Sequence, residues 1–163
     1  MSNGTKVKKR DGRIEALDLE KMHLMVEEAT RGLAGVSASQ VEMKSGIQFY
    51  DGITTAEIQE ILIKAASDLI DLDHPNYQFV AARLLLFALR KQLYGKMREL
   101  PHLESHIMNC TNIDVYDKEI FDKYSKEEID RANSYIDHER DFLFTYAGLR
   151  QVVDKYLVQD RSS

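Results

Sequence analysis

The sequence is nearly free of cysteine: Cys110 stands alone among 163 residues. One thiol excludes an intramolecular disulfide and a cysteine-rich zinc site, and it fits a reducing, cytoplasmic setting. No run approaches the ~18 consecutive apolar residues of a membrane span. The opening MSNGTKVKKRDG has no apolar stretch behind its basic residues, so no signal peptide is expected. Basic charge is in the minority, with 22 Lys and Arg against 27 Asp and Glu and a formal net charge of -5. A general nucleic-acid binder carries a basic face, so that class is set aside, while a small anion in a locally basic pocket stays open. Internal repeats and low-complexity segments are missing. So are the Walker and G-x-G-x-x-G loops, the G-x-S-x-G elbow and the H-E-x-x-H helix, which leaves no catalytic or metal-ligating set to name.

What is there suits one domain, or one domain and part of a second. Hydrophobic residues make up 44% and charged residues 30%, enough for a core under a solvated surface. Thr5 to Leu17 reads as a β-hairpin about Asp11-Gly12, a two-residue type I′ turn signal. Asp18 is placed as the N-cap of a first helix with Met22, Met25, Val26 and Ala29 on one stripe, ended by Gly32 and Gly35. Ser37 with Gln40 predicts a capping box for a second helix holding Val41, Met43 and Ile47. Asp51-Gly52 marks a turn, and Thr54 with Glu57 caps a third helix whose face is Ile58, Ile61, Leu62, Ala65 and Leu69. His74-Pro75 opens a fourth, with Pro75 at its first position and Gly95 as its stop.

The remainder is less regular and more acidic. Arg98 to Pro101 reads as a linker, His102 to Asn109 as a short helix, Ser125 with Glu128 as a further cap, and Tyr146 to Tyr156 as helix. The end at Asp160-Arg161-Ser162-Ser163 carries no cap or closing apolar element, so this segment is expected to be an incomplete domain.

The informative chemistry lies in Val7-Lys8-Lys9-Arg10-Asp11-Gly12. A Lys and Arg cluster on a turn can meet a polyphosphate, with Lys as a point charge and Arg as a planar fork. The helix that follows adds free N–H groups and a positive dipole end. Composition alone favours the plainer reading, a solvated basic turn. Lys91 can reach the same phosphates, or simply answer the dipole at its helix end. His102 and His106 lie four apart, but a solvated face explains them better than a metal. Asp137-His138-Glu139-Arg140-Asp141 reads as a surface turn, and Cys110 as a partly buried small residue.

The order of motifs resembles a known family. Val7 to Gly12, Glu15 and Asp18 with Lys21 resemble the opening of the ATP-cone. Ile47-Gln48-Phe49-Tyr50-Asp51-Gly52-Ile53-Thr54-Thr55 is similar to its central turn. Ile63-Lys64-Ala65-Ala66, Asn76 to Leu84, and Leu89-Arg90-Lys91 with Tyr94-Gly95 continue the likeness. The tail narrows it. Tyr135 to Asp141, Phe144 to Ala147 and Lys155 to Arg161 are similar to the segment after the cone in large subunits of class I ribonucleoside-diphosphate reductases.

The resemblance implies a mainly α (α+β) fold: an ATP-cone over 5–95, with a β-hairpin capping a four-helix bundle, and the start of a helical domain over 96–163. It implies an allosteric site for ATP or dATP, accompanied by Mg2+. Carried over by position, the contacts are Val7, Lys9, Arg10, Glu15, Ala16, Leu17, Asp18, Leu19, Glu20, Lys21, Thr55 and Lys91, with Lys9, Arg10 and Lys91 on phosphates. The implied partners are the rest of the large subunit and a radical-generating small subunit. Family chemistry uses a cysteine radical and a cysteine pair in a later barrel, so one cysteine leaves this chain inactive alone. The chain departs from dATP-inhibited members at Asp18, Gln59 and Ala88. The Asp18 and Gln59 departures motivate one alternative, a structural helical module with a decayed site. The other is a stand-alone nucleotide-responsive regulator, which the missing Cys-x-x-Cys opposes.

Overall fold

Alternation along Lys6-Val7-Lys8 sends one apolar side chain inward and two cations out, and this is the first strand, β1 (Lys6–Lys8). The computed structural model describes residues 5–158. Strand β2 (Ile14–Ala16) pairs antiparallel with β1, Val7 opposite Glu15. The expected two-residue turn is corrected to a three-residue loop. Lys9 N–H donates to the Arg13 carbonyl, and Gly12 N–H to the Lys9 carbonyl. Gly12 takes a left-handed φ of 85° while Asp11 does not, which is a type I turn closed by a glycine bulge. Asp11 instead accepts from the Arg13 backbone and side chain.

The helices begin where short polar residues predict. Asp18 accepts from Lys21 N–H to start α1 (Leu19–Thr30). Ser37 does precede α2 (Ala38–Gly46), but the expected capping box is absent: Ser37 makes no side-chain cap. The Tyr77 phenol replaces it, accepting from Ser37 N–H and donating to Gln40 Oε1. A two-residue strand that the sequence reading missed, β3 (Ile53–Thr54), lies parallel to β1, giving the order β2-β1-β3. It is too short to show a two-residue period. Thr54 and Glu57 form the predicted box at α3 (Thr55–Ser67); Leu69 falls beyond that helix. The fourth helix, α4 (Tyr77–Tyr94), starts after Asn76, so Pro75 sits in the preceding turn and not at the first helical position. Gly95 ends it at φ 72°.

Helix α4 is the spine of the molecule. Val80, Ala81, Leu84, Leu85 and Phe87 are all buried, and they face α1, α3 and the last helix from different sides. The second segment contributes α5 (Leu103–Asn112), α6 (Ile120–Lys123), α7 (Lys126–Ser134), a 3-10 helix (His138–Leu143) and α8 (Tyr146–Lys155). Leu149 of α8 joins the same core as the first four helices. The run Asp137 to Asp141 is therefore more than the expected surface turn: it caps and begins a 3-10 helix, and Asp141 pairs with buried Arg90. The predicted unfinished edge at Asp160-Arg161-Ser162-Ser163 lies outside the described residues. Among the described residues, no helix is long and apolar enough to cross a membrane.

Candidate functional site

Strand β1 positions the site because it is gripped from both sides. Lys6 N–H donates to Asp51 Oδ1 at 2.8 Å, and Gly52 N–H donates to the Lys6 carbonyl at 2.8 Å. Gly52 reaches that bond at φ 87°, a left-handed geometry that favours glycine. Since β3 runs straight into α3, this grip sets the N-terminus of α3 beside the hairpin. The Thr54 hydroxyl accepts from Glu57 N–H, while Glu57 accepts from Thr54 and from the Tyr50 phenol. Those bonds hold the Glu57 carboxyl below the usual carboxylate range, with the Thr54 hydroxyl as the main cause. Across the site, Arg10 Nη1 donates to the Lys91 carbonyl at 2.8 Å, tying the turn to the last turn of α4.

These ties surround one cleft of about 90 Å³, lined by Val7, Lys9, Ala16, Leu17, Asp18, Lys21, Met22, Met25, Thr55, Ile58, Gln59 and Lys91. Its floor is apolar, from Val7, Met25 and Ile58, and two helix N-termini open on it. Its size is below the ~300–1,000 Å³ of enclosed small-molecule sites. It has room for no more than a ring-sized group, with charged side chains along its rim.

The rim is cationic. Burial, followed by the charges of Lys21, Arg10 and Lys9, pushes the Lys91 ammonium below its ordinary pKa. Lys9 is shared with Glu15 at 3.4 Å. Among the described residues, neither Lys21 nor Lys91 has an ion-pair partner. The one lining carboxylate, Asp18, accepts from Lys21 N–H at 2.9 Å and is spent as a cap. An anion placed here would offset both the burial and the neighbouring cations that lower the Lys91 pKa, so the arrangement can hold a polyanion.

The structure brings together eight of the residues chosen from sequence: Val7, Lys9, Ala16, Leu17, Asp18, Lys21, Thr55 and Lys91. Arg10 holds the Lys91 backbone at the edge of the cleft. Glu15 lies outside it, paired with Lys9 and Arg13. Leu19 and Glu20 do not line it either; they border a separate groove between β2, α1 and α2. The reason is helical phase: Asp18, Lys21, Met22 and Met25 share one face of α1, and positions 19 and 20 turn away. Missed were Met22, Met25, Ile58 and Gln59. The signal for Gln59 was present, because it falls in phase with Leu62, Ile63 and Ala66 on the buried side of α3. Its carboxamide, on a residue 8% exposed, has no hydrogen-bond partner among the described residues.

The two histidines considered for metal do not share a site. His106 contacts Tyr94 and Cys110, whereas His102 faces Asp130. Cys110 is partly buried, and burial raises its thiol pKa, as expected of an inert residue.

Comparison with known proteins adds two findings. The ATP cone domain family matches residues 5–92. The chain is also 47% identical over 161 residues to the protein named ribonucleoside-diphosphate reductase 1 subunit alpha of Escherichia coli (strain K12), covering 99% of this chain and 21% of that one. The subunit alpha of Haemophilus influenzae matches at 47% with the same coverage. That of Enterobacteria phage T4 is 42% identical over 157 residues, 95% of this chain and 20% of its own. The chain thus spans about a fifth of the length of the curated relatives it matches, and the matched part is their N-terminal region.

Proposed function

The chain belongs to the ATP cone domain family, and from that premise we propose that its cleft binds ATP or dATP as an allosteric effector. The observation that carries this reading is the convergence of Lys9, Lys21 and Lys91 on one cleft, where burial first, and then the neighbouring cations, lower the Lys91 pKa. The phosphates lie along those lysines and the two helix N-termini, where free N–H groups and dipoles favour anions. The adenine and sugar take the apolar floor, with Gln59 and Thr55 offering polar contacts. Mg2+ would accompany the triphosphate, and Asp18, whose Oδ1 accepts from Lys21 N–H, is the one carboxylate lining the cleft that could approach it.

The same proposal places residues 5–95 as the sensing unit and 96–163 as the beginning of a larger helical region. The chain serves as the regulatory region of a ribonucleoside-diphosphate reductase alpha subunit, as a piece of it or as a separately encoded chain, and that enzyme makes deoxyribonucleotides for DNA synthesis in the cytoplasm. Its partners are the remainder of that subunit and a radical-generating beta subunit, and this chain alone is catalytically inactive. Asp18 and Gln59 do not favour a decayed site: one is used as a cap, the other lines the cleft. A stand-alone regulator of genes lacks support in the acidic charge and the single cysteine. Titration calorimetry of the chain with ATP and dATP tests the reading. Saturable one-site heat is expected; no heat at millimolar nucleotide overturns it in favour of the structural module.

A further inference from the structure

The back of α4 carries a polar-aromatic cluster that the cleft does not use. Arg83, Phe87 and Arg90 follow at spacings of four and three, so they share one stripe. The Phe142 ring of the 3-10 helix lies against that stripe. It sits 5.4 Å from the Arg83 guanidinium, 5.6 Å from that of Arg90 and 6.1 Å from Phe87, which it meets edge-on. Arg90, 6% exposed, donates to Asp141 Oδ2 at 2.7 Å and to the Met97 and His138 carbonyls at 3.4 Å. Arg83 Nη1 donates to the Ala29 and Arg31 carbonyls, the C-terminal end of α1.

Both walls of the cleft therefore run back to one point. The N-terminal turns of α1 line the cleft, and Arg83 holds the other end of that helix. The last turn of α4 turns Lys91 into the cleft while its neighbour Arg90 grips the 3-10 helix. We infer that Asp141 and Phe142 form a latch by which occupancy of the cleft sets the position of the 3-10 helix and α8. The inference rests on the nucleotide reading above. Its physical basis is that a buried guanidinium cannot be parted from its carboxylate without leaving a charge uncompensated, so Asp141 follows Arg90 when the last turn of α4 adjusts. An anion that draws Lys91 inward acts on that turn directly. Occupancy favours the latched arrangement, and coupling is reciprocal, so breaking the latch weakens nucleotide binding.

Hydrogen exchange on the 163-residue chain, with and without saturating ATP, tests this. ATP is expected to slow exchange at the cleft and also in residues 138–150. In Asp141→Asn, ATP affinity falls two- to tenfold and the protection of 138–150 is lost while cleft protection remains. Leu149→Ala loosens α8 without touching the latch, and its ATP affinity is expected to stay within twofold of the parent. Protection confined to the cleft in the unaltered chain overturns the latch, and that result stands even if Asp141→Asn does not fold. An Asp141→Asn chain with full affinity and full protection of 138–150 overturns it too. Failure to bind ATP at all removes the nucleotide reading, and the latch with it.

Discussion

Lys91→Met separates the functional from the structural role of the cleft's most stressed cation. Methionine keeps the unbranched apolar stem and deletes the charge. In the unliganded protein that charge is half-buried, close to Lys21, Arg10 and Lys9, and its pKa is lowered mainly by burial. Deleting it removes an unfavourable arrangement, and the Lys91 carbonyl stays available to Arg10. The melting temperature is therefore expected to stay level or rise. Nucleotide binding moves the other way. A hydrogen bond to a charged group contributes about 1.5–3 kcal/mol, so ATP affinity should fall roughly tenfold to 150-fold. Lys9→Ala should cost less, because Lys9 already shares its charge with Glu15. The pH dependence has a definite sign. The free site has a depressed lysine pKa, and a bound phosphate raises it. Between the two values binding takes up a proton, and affinity declines as alkaline pH rises; Lys91→Met abolishes that decline. Calorimetry in buffers of different ionisation enthalpy, paired with thermal melts, reads all three quantities. A variant that melts several degrees lower while binding ATP normally would show Lys91 to be a structural residue and refute this reasoning.

Three further outcomes follow from the fold. Tyr77→Phe strips the phenol that bridges Ser37 and Gln40 on a residue 1% exposed, leaving a backbone N–H unpaired. Urea unfolding should show a loss of about 1–3 kcal/mol, and a loss under ~0.5 kcal/mol would mean that water replaces the phenol. Gly52→Ala forces a side chain into left-handed backbone at the grip on β1, at about 1–2 kcal/mol, and should weaken ATP binding alongside stability. His23 bonds Glu42 at 2.7 Å, and that bond is the main cause of its raised pKa. Its contribution to stability is therefore full below the unfolded-state pKa and lost as pH rises through the higher folded-state value. Imidazole NMR titration should give a midpoint above that of free histidine, and Glu42→Gln should bring it down.

The capped helices were legible because Asp18, Thr54 and Ser125 each announce a start by local chemistry that the structure retains. Ser37 and Gln40 carry the same letters, yet a phenol from α4 outbid their mutual bond, and tertiary contact of that kind leaves no trace in spacing. The cleft was legible only in part. Its cations stand out in the sequence, but its floor of Val7, Met25 and Ile58 is written in the same apolar residues as the core. Asp141 looked like one more surface acid. What distinguishes it is a buried partner 51 positions away, and only packing brings the two together.

The most direct measurement is an experimental structure of this chain with ATP and Mg2+. The triphosphate is expected to lie within hydrogen-bond reach of Lys9, Lys21 and Lys91, with the adenine against Val7, Met25 and Ile58. Phosphates found on any other surface, with those three lysines untouched, would contradict the account.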